Sequence, residues 1–138
     1  MSSVRKNERS SHKFTVLDAC LDLYDHTTTI TAGKKFENHR WIADKMNRET
    51  MTVYHYCRLA NEDYDAREAN EAKIRLELED KAIELCMWLK TDIMLAKKLI
   101  HLRVKQVIFW TEMTNKTLAL IKAWRKSEQE RYKENNGL

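Results

Sequence analysis

The chain contains no proline, and its only glycines are Gly33 and Gly137. Strands and hairpins need turn chemistry that these two residues supply, so sheet architecture is nearly excluded and long helices with few breaks remain. A phosphate-cradling loop is excluded for the same reason. Cys20, Cys57 and Cys86 are odd in number and form no Cys-x-x-Cys pair, which argues against a disulfide framework and for a reduced, cytoplasmic protein. No apolar run approaches the roughly 18 residues of a membrane span. The first residues, with Arg5, Lys6, Glu8 and Arg9, lack the apolar centre of a signal peptide.

What the chain has is charge, unevenly distributed. From Ile93 to Lys126 eight basic residues (Lys97, Lys98, Arg103, Lys105, Lys116, Lys122, Arg125 and Lys126) face a single acid, Glu112, for a net of +7. The preceding stretch, Asn61 to Asp92, nets −5. Such segregation on a small body implies an acidic region and a basic region, and the basic one favours a polyanionic partner. Lysine-rich helix faces are commonly plain surface. Here the near absence of compensating acid within the segment raises the odds of a binding role.

The apolar pattern predicts four helices in one domain. A polar, basic arm (residues 1–12) precedes a bundle over 13–134 and a tail at 135–138. The first helix is expected from about Phe14 to Ala32, with Phe14, Leu17, Leu21, Tyr24, Thr28 and Thr31 as its stripe and Gly33 as a left-handed cap. The second runs from about Arg40 to Ala60, with a seam of Ile42, Met46, Val53, Cys57 and Ala60 and with Glu49 on its edge. Asp63 and Asp65 are candidate N-caps for the third helix, expected over 66–100. Its main seam is Leu78, Ala82, Leu85, Cys86, Leu89, Ile93, Ala96 and Ile100. A second seam at Leu76, Ile83, Met87 and Met94 lies roughly 130° around the axis, and this candidate oligomer interface suggests packing beyond the domain. The fourth helix, about Lys105 to Tyr132, buries Trp110, Met113, Thr117, Leu120, Ile121 and Trp124. No proline or glycine separates the last two helices. The stripe nevertheless shifts by roughly 80° between Ile100 and Trp110, which places a break near residues 101–104. The fold class is therefore all-α, an antiparallel four-helix bundle with long third and fourth helices.

Catalytic chemistry is not visible. The five histidines are scattered, no Glu-x-x-His occurs for a di-iron bundle, and neither a metal nor a cofactor is implied. The cysteines lie on or beside apolar seams, where cysteine behaves as a small hydrophobe. Asp22, Asp25 and His26 fit a solvated face better than acid–base work. No enzyme is expected. The eight basic residues are candidate phosphate contacts, with little base specificity and strong salt dependence.

The stretch LAKKLIHLRVKQVIFWTEMTNKTLALIKAWRKS, Leu95 to Ser127, resembles the final helical hairpin of the four-helix proteins related to the accessory variability determinant of diversity-generating retroelements. That group includes proteins encoded in intervening sequences of bacterial 23S ribosomal RNA genes. Ala96 and Leu99 closing one helix, Lys105–Gln106 opening the next, and Trp124 with a basic residue after it carry the likeness. LYDHTTTITAGKKF, Leu23 to Phe36, is similar to the end of the first helix and its loop. A departure stands at the last turn, where relatives carry glycine and this chain has Ile100–His101. The resemblance implies a non-enzymatic pentamer that binds a reverse transcriptase and RNA, or an RNA/DNA hybrid, and supports mutagenic cDNA synthesis and sequence diversification. The charge division alone suggests the acidic third helix (Glu77, Glu79, Asp80 and Glu84) as the side offered to the polymerase. The alternative is a helical protein–protein adaptor without nucleic-acid binding.

Overall fold

A computed structural model describes the backbone of residues 2–135 and the side chains of residues 15–134. Its helices are α1 (Ser2–Thr31), α2 (Arg40–Asp63), α3 (Ala69–Ile100) and α4 (Val104–Asn135), with one 3-10 turn at Lys34–Phe36. There is no strand among the described residues. Each helix packs on its sequence neighbour and α1 packs on α4, closing a ring. Connections this short reverse the direction at every step, giving the antiparallel four-helix bundle that the sequence predicts. Among the described residues, no helix is long and apolar enough to cross a membrane.

Helix α1 begins at Ser2, so the segment expected to be a loose arm is helical backbone. Nothing in residues 2–32 breaks a helix, because neither proline nor glycine occurs there. The side chains of residues 1–14, Phe14 among them, and residues 136–138 of the expected tail lie outside the described residues.

The stripe of α1 is displaced from the one its apolar residues predict. Val16, Cys20, Leu23, Thr27 and Thr31 are buried, whereas Leu21 is exposed and Leu17, Tyr24 and Thr28 are half-buried. The buried threonines are tolerated because their hydroxyls are satisfied. Thr31 donates to the Thr27 carbonyl at 2.8 Å, and Thr27 Oγ1 accepts from Trp110 Nε1 at 3.0 Å. The seam of α2 is as expected, but Glu49 lies on it and is itself buried. In α3 every main-seam residue is buried except Leu85, which is half-buried. In α4 Trp110, Thr117, Ile121 and Trp124 are buried, Met113 and Leu120 only partly.

The two tight turns exchange the roles expected of them. Gly33 has φ −67° and ψ 158°, which is extended and open to any residue. Its constraint is space, since a Cβ there would meet the Ile30 carbonyl oxygen at 3.0 Å. The left-handed conformation occurs at His101 instead, with φ 57° and ψ 49°, and it caps α3 just before α4 starts. A residue in that conformation ends a helix whether or not it is glycine, so the break needs no glycine. The Lys35 ammonium donates to the His101 carbonyl at 3.3 Å and ties the two loops at this end together. At the opposite end, Glu68 rather than Asp63 or Asp65 caps α3, accepting from the Glu71 amide at 2.7 Å. Asp63 is still inside α2, and Asp65 instead accepts from the Arg67 amide at 2.9 Å within the loop.

Candidate nucleic-acid interface

Helix α4 presents most of the basic segment. At about 100° per residue, Lys105, Lys116, Lys122 and Lys126 fall within a sector about 120° wide, opposite the buried face of Trp110, Thr117, Ile121 and Trp124. All four are exposed, and they extend over about 30 Å of helix at about 1.5 Å per residue. Lys97, Lys98 and Arg103 are exposed around the α3–α4 turn. None of these seven makes an ion pair among the described residues.

Arg125 differs from the other seven. Its guanidinium is paired with both Asp80 carboxylate oxygens and donates to Gln129 Oε1 at 2.8 Å, so it is a strut between α3 and α4. Asp80 is correspondingly occupied. Glu79 is completely buried and cannot belong to an acidic docking surface. Only Glu77 and Glu84 of the acidic quartet remain exposed and unpaired among the described residues.

Helical periodicity alone could not reveal why Glu79 is interior. It belongs to a cluster with Arg75 and Glu128, all three buried. Arg75 donates to Glu128 through Nε at 3.1 Å and through Nη2, and its Nη1 donates to the Tyr64 carbonyl at 2.7 Å. Among the described residues no donor reaches either oxygen of Glu79, so its ionised form is orphaned. Burial, reinforced by the Glu128 carboxylate beside it, pushes Glu79 up to about 10. Protonated, it becomes a donor to Glu128. Glu128 itself is penalised by burial, but its hydrogen bonds with Arg75 and Glu79 outweigh that and lower it.

A second cluster joins α2 to α3. Lys45 donates to Glu49 at 3.0 Å and to Asp92, and its ammonium stands 5.2 Å from the Trp88 ring centroid. Burial and the neighbouring Asp92 carboxyl push Glu49 up to about 8, with Lys45 opposing. Its Oε1 has no hydrogen-bond partner among the described residues.

The remaining candidates are quiet. Cys20, Cys57 and Cys86 are fully buried free thiols within one core cluster. A hydrogen bond with Cys20 and burial raise Cys57, while burial raises Cys86 to about 12, the opposite of nucleophile activation. Asp22 and Asp25 are exposed. His26 is half-buried against Phe109 and Trp110, and burial pulls it below the usual histidine range against the Asp25 charge. Among the described residues, no three His, Cys, Asp or Glu side chains form a group that could hold a metal ion.

The second seam of α3 is split. Leu76 and Ile83 are half-buried, with Ile83 packed on the core, whereas Met87 and Met94 are more than half exposed. Across the hairpin, Val104 and Ile108 are also exposed. No family model matches the chain, and neither does any curated protein or solved structure.

Proposed function

We propose that the chain is a non-enzymatic, nucleic-acid-binding accessory protein that works beside a reverse transcriptase and its template RNA. The observation that carries this reading is the set of seven exposed cations on α4 and the α3–α4 turn, unpaired among the described residues. The resemblance of Leu95–Ser127 to the hairpin of retroelement accessory proteins supplies the polymerase, the RNA or RNA/DNA hybrid and the pentameric assembly. Cations spread over one side of a helix meet phosphates without reading bases, so affinity is expected to come from counterion release. Arg125 contributes by holding α4 against α3. Repetition of the face around an oligomer would turn weak contacts into avidity.

The test is binding to a structured RNA across a salt series, with a Lys105→Glu/Lys116→Glu/Lys122→Glu/Lys126→Glu variant beside the wild type. The wild type is expected to show a log K versus log[salt] slope of about −3 to −6, set by several neutralised phosphates. Loss of binding in the variant, with its helical content intact, is the expected result. Unchanged binding would remove the site. The adaptor reading draws on the exposed Met87, Met94, Val104 and Ile108, since apolar surface of this kind marks protein contacts. It predicts partner binding that hardly varies with salt.

A further inference from the structure

A different surface, the groove between α2 and α3, has no part in that reading. It is an open groove with a volume of about 480 Å3. Its walls carry two aromatic rings, Tyr56 from α2 and Trp88 from α3. Trp88 is 54% exposed, an unusual state for an indole beside a cleft. Arg48 and Lys81 also line the groove, and neither makes an ion pair among the described residues. The Lys81 ammonium lies 5.8 Å from the Tyr56 ring centroid, so cation and aromatic stand side by side.

The lining also includes Glu49, which is more than nine-tenths buried and whose Oε1 lacks any hydrogen-bond partner among the described residues. That oxygen is sealed from solvent beneath the groove, and Glu49 in its protonated form has Asp92 as a hydrogen-bond partner. Lys45 is held by Asp92 and Glu49, which leaves Arg48 and Lys81 as the uncommitted positive charges. The groove therefore offers a half-exposed indole approached on one side by the Lys45 ammonium, two cations without an ion pair among the described residues, and a buried carboxyl beside them. A flat ring carrying hydrogen-bonding edges and one anionic group matches the indole and the two cations together.

We infer that the α2–α3 groove binds a nucleoside monophosphate unit, free or as one residue of a single strand, with the base stacked on Trp88 and the phosphate held by Arg48 and Lys81. Glu84 offers an acceptor to base amino groups at the rim. Because every base presents a π-face and carries both donors and acceptors, recognition here is tolerant of base identity. The site does not depend on the basic sector of α4.

Adenosine 5′-monophosphate titrated into the full chain, followed by tryptophan fluorescence, tests this directly. Saturable quenching with a Kd on the order of 1 mM or tighter is expected, with adenosine binding more weakly than the monophosphate. Trp88→Ala should weaken binding about tenfold, read by calorimetry because the reporter is lost, and Trp88→Phe should restore most of it. An Arg48→Ala/Lys81→Ala variant should reduce the monophosphate to the affinity of adenosine. All of these side chains are exposed, so unchanged thermal unfolding is expected in each variant. A hexa-adenylate that binds at least tenfold tighter and is displaced by the monophosphate would identify a strand as the source, and equal affinity a free nucleotide. Absence of saturation, or affinity indifferent to Trp88→Ala, would overturn the proposal. The four-lysine charge-reversal variant separates the two readings, since it should lose structured RNA and keep its affinity for the monophosphate.

Discussion

Two clusters of one cation and two carboxyls cross the bundle, Lys45–Glu49–Asp92 between α2 and α3 and Arg75–Glu79–Glu128 between α3 and α4, and they solve the same problem differently. In each, a helix that needs an apolar seam carries an acid on it, and burial pushes that acid up, Glu49 to about 8 and Glu79 to about 10. The lysine cluster is open on one side: the Lys45 side chain is 36% exposed and lies at the edge of the groove. The arginine cluster is sealed, with Arg75 forking to Glu128 and reaching back to the loop carbonyl of Tyr64. A lysine at a wet edge is a replaceable point charge. A buried guanidinium in fixed geometry is part of the frame, joining α3, α4 and the α2–α3 loop.

The largest expected effect breaks this contrast outright. Arg75→Ala leaves Glu128 buried without its partner and frees the loop carbonyl, and should cost about 3–5 kcal/mol. Lys45→Ala should cost less, about 1–3 kcal/mol, because Lys45 itself stands at a wet edge although Glu49 and Asp92 behind it are buried. Urea denaturation of the two variants measures the gap, and equal losses would erase the distinction between sealed and open clusters.

The next prediction sharpens it by pH. A carboxyl whose folded pKa lies above its unfolded value holds its proton preferentially in the folded state, so its stability contribution is present at low pH and lost as pH rises. For Glu49 the loss runs from the ordinary value of 4.5 up to about 8, and for Glu79 from 4.5 up to about 10. Glu128 is lowered, so its contribution is present above 4.5 and lost as pH falls through its depressed value. The urea midpoint should therefore decline from mildly acidic to alkaline pH. Glu49→Gln should flatten the part below about 8, and Glu79→Gln should flatten the slope that persists toward 10. A midpoint that rises over this range would contradict both assignments.

The smallest effect concerns the end of the bundle near the open cluster. His101→Gly relieves a left-handed residue and should stabilise the fold by up to about 1 kcal/mol, visible as a higher urea midpoint with unchanged m-value. A lower midpoint would mean that the histidine side chain contributes more than its backbone costs.

How far the sequence could be read depended on what each element rests on. The seams of α2 and α3 were legible because apolar residues recur there at helical spacing without competition. The break between α3 and α4 was legible as a change of phase, although no breaker residue marks it. Thr31 is buried as its spacing predicts, but the rest of the α1 stripe is displaced to Val16, Cys20, Leu23 and Thr27, and Thr27 is a core position only because it accepts from Trp110 Nε1. Charge summed along the segment located the basic sector but could not distinguish Arg125, bound to Asp80, from lysines that face solvent. Glu79 continues the seam spacing of Ala82, Cys86 and Leu89, a signal that its charge outweighed, while its partners Arg75 and Glu128 meet it only in three dimensions. The α2–α3 groove left almost no trace, since its residues come from two helices and none forms a motif.

The hydrogen bond from Trp110 to Thr27 spans 83 positions of the chain, and it belongs to the one seam of the ring that does not join sequence neighbours. The other three seams are hairpins, whose ends are brought together by short loops at little entropic cost. The α1–α4 seam must instead gather the two extremes of the polypeptide, so it carries most of the ordering penalty of closing the ring. The indole–hydroxyl bond acts there as a latch, fixing the register in which the first helix meets the last.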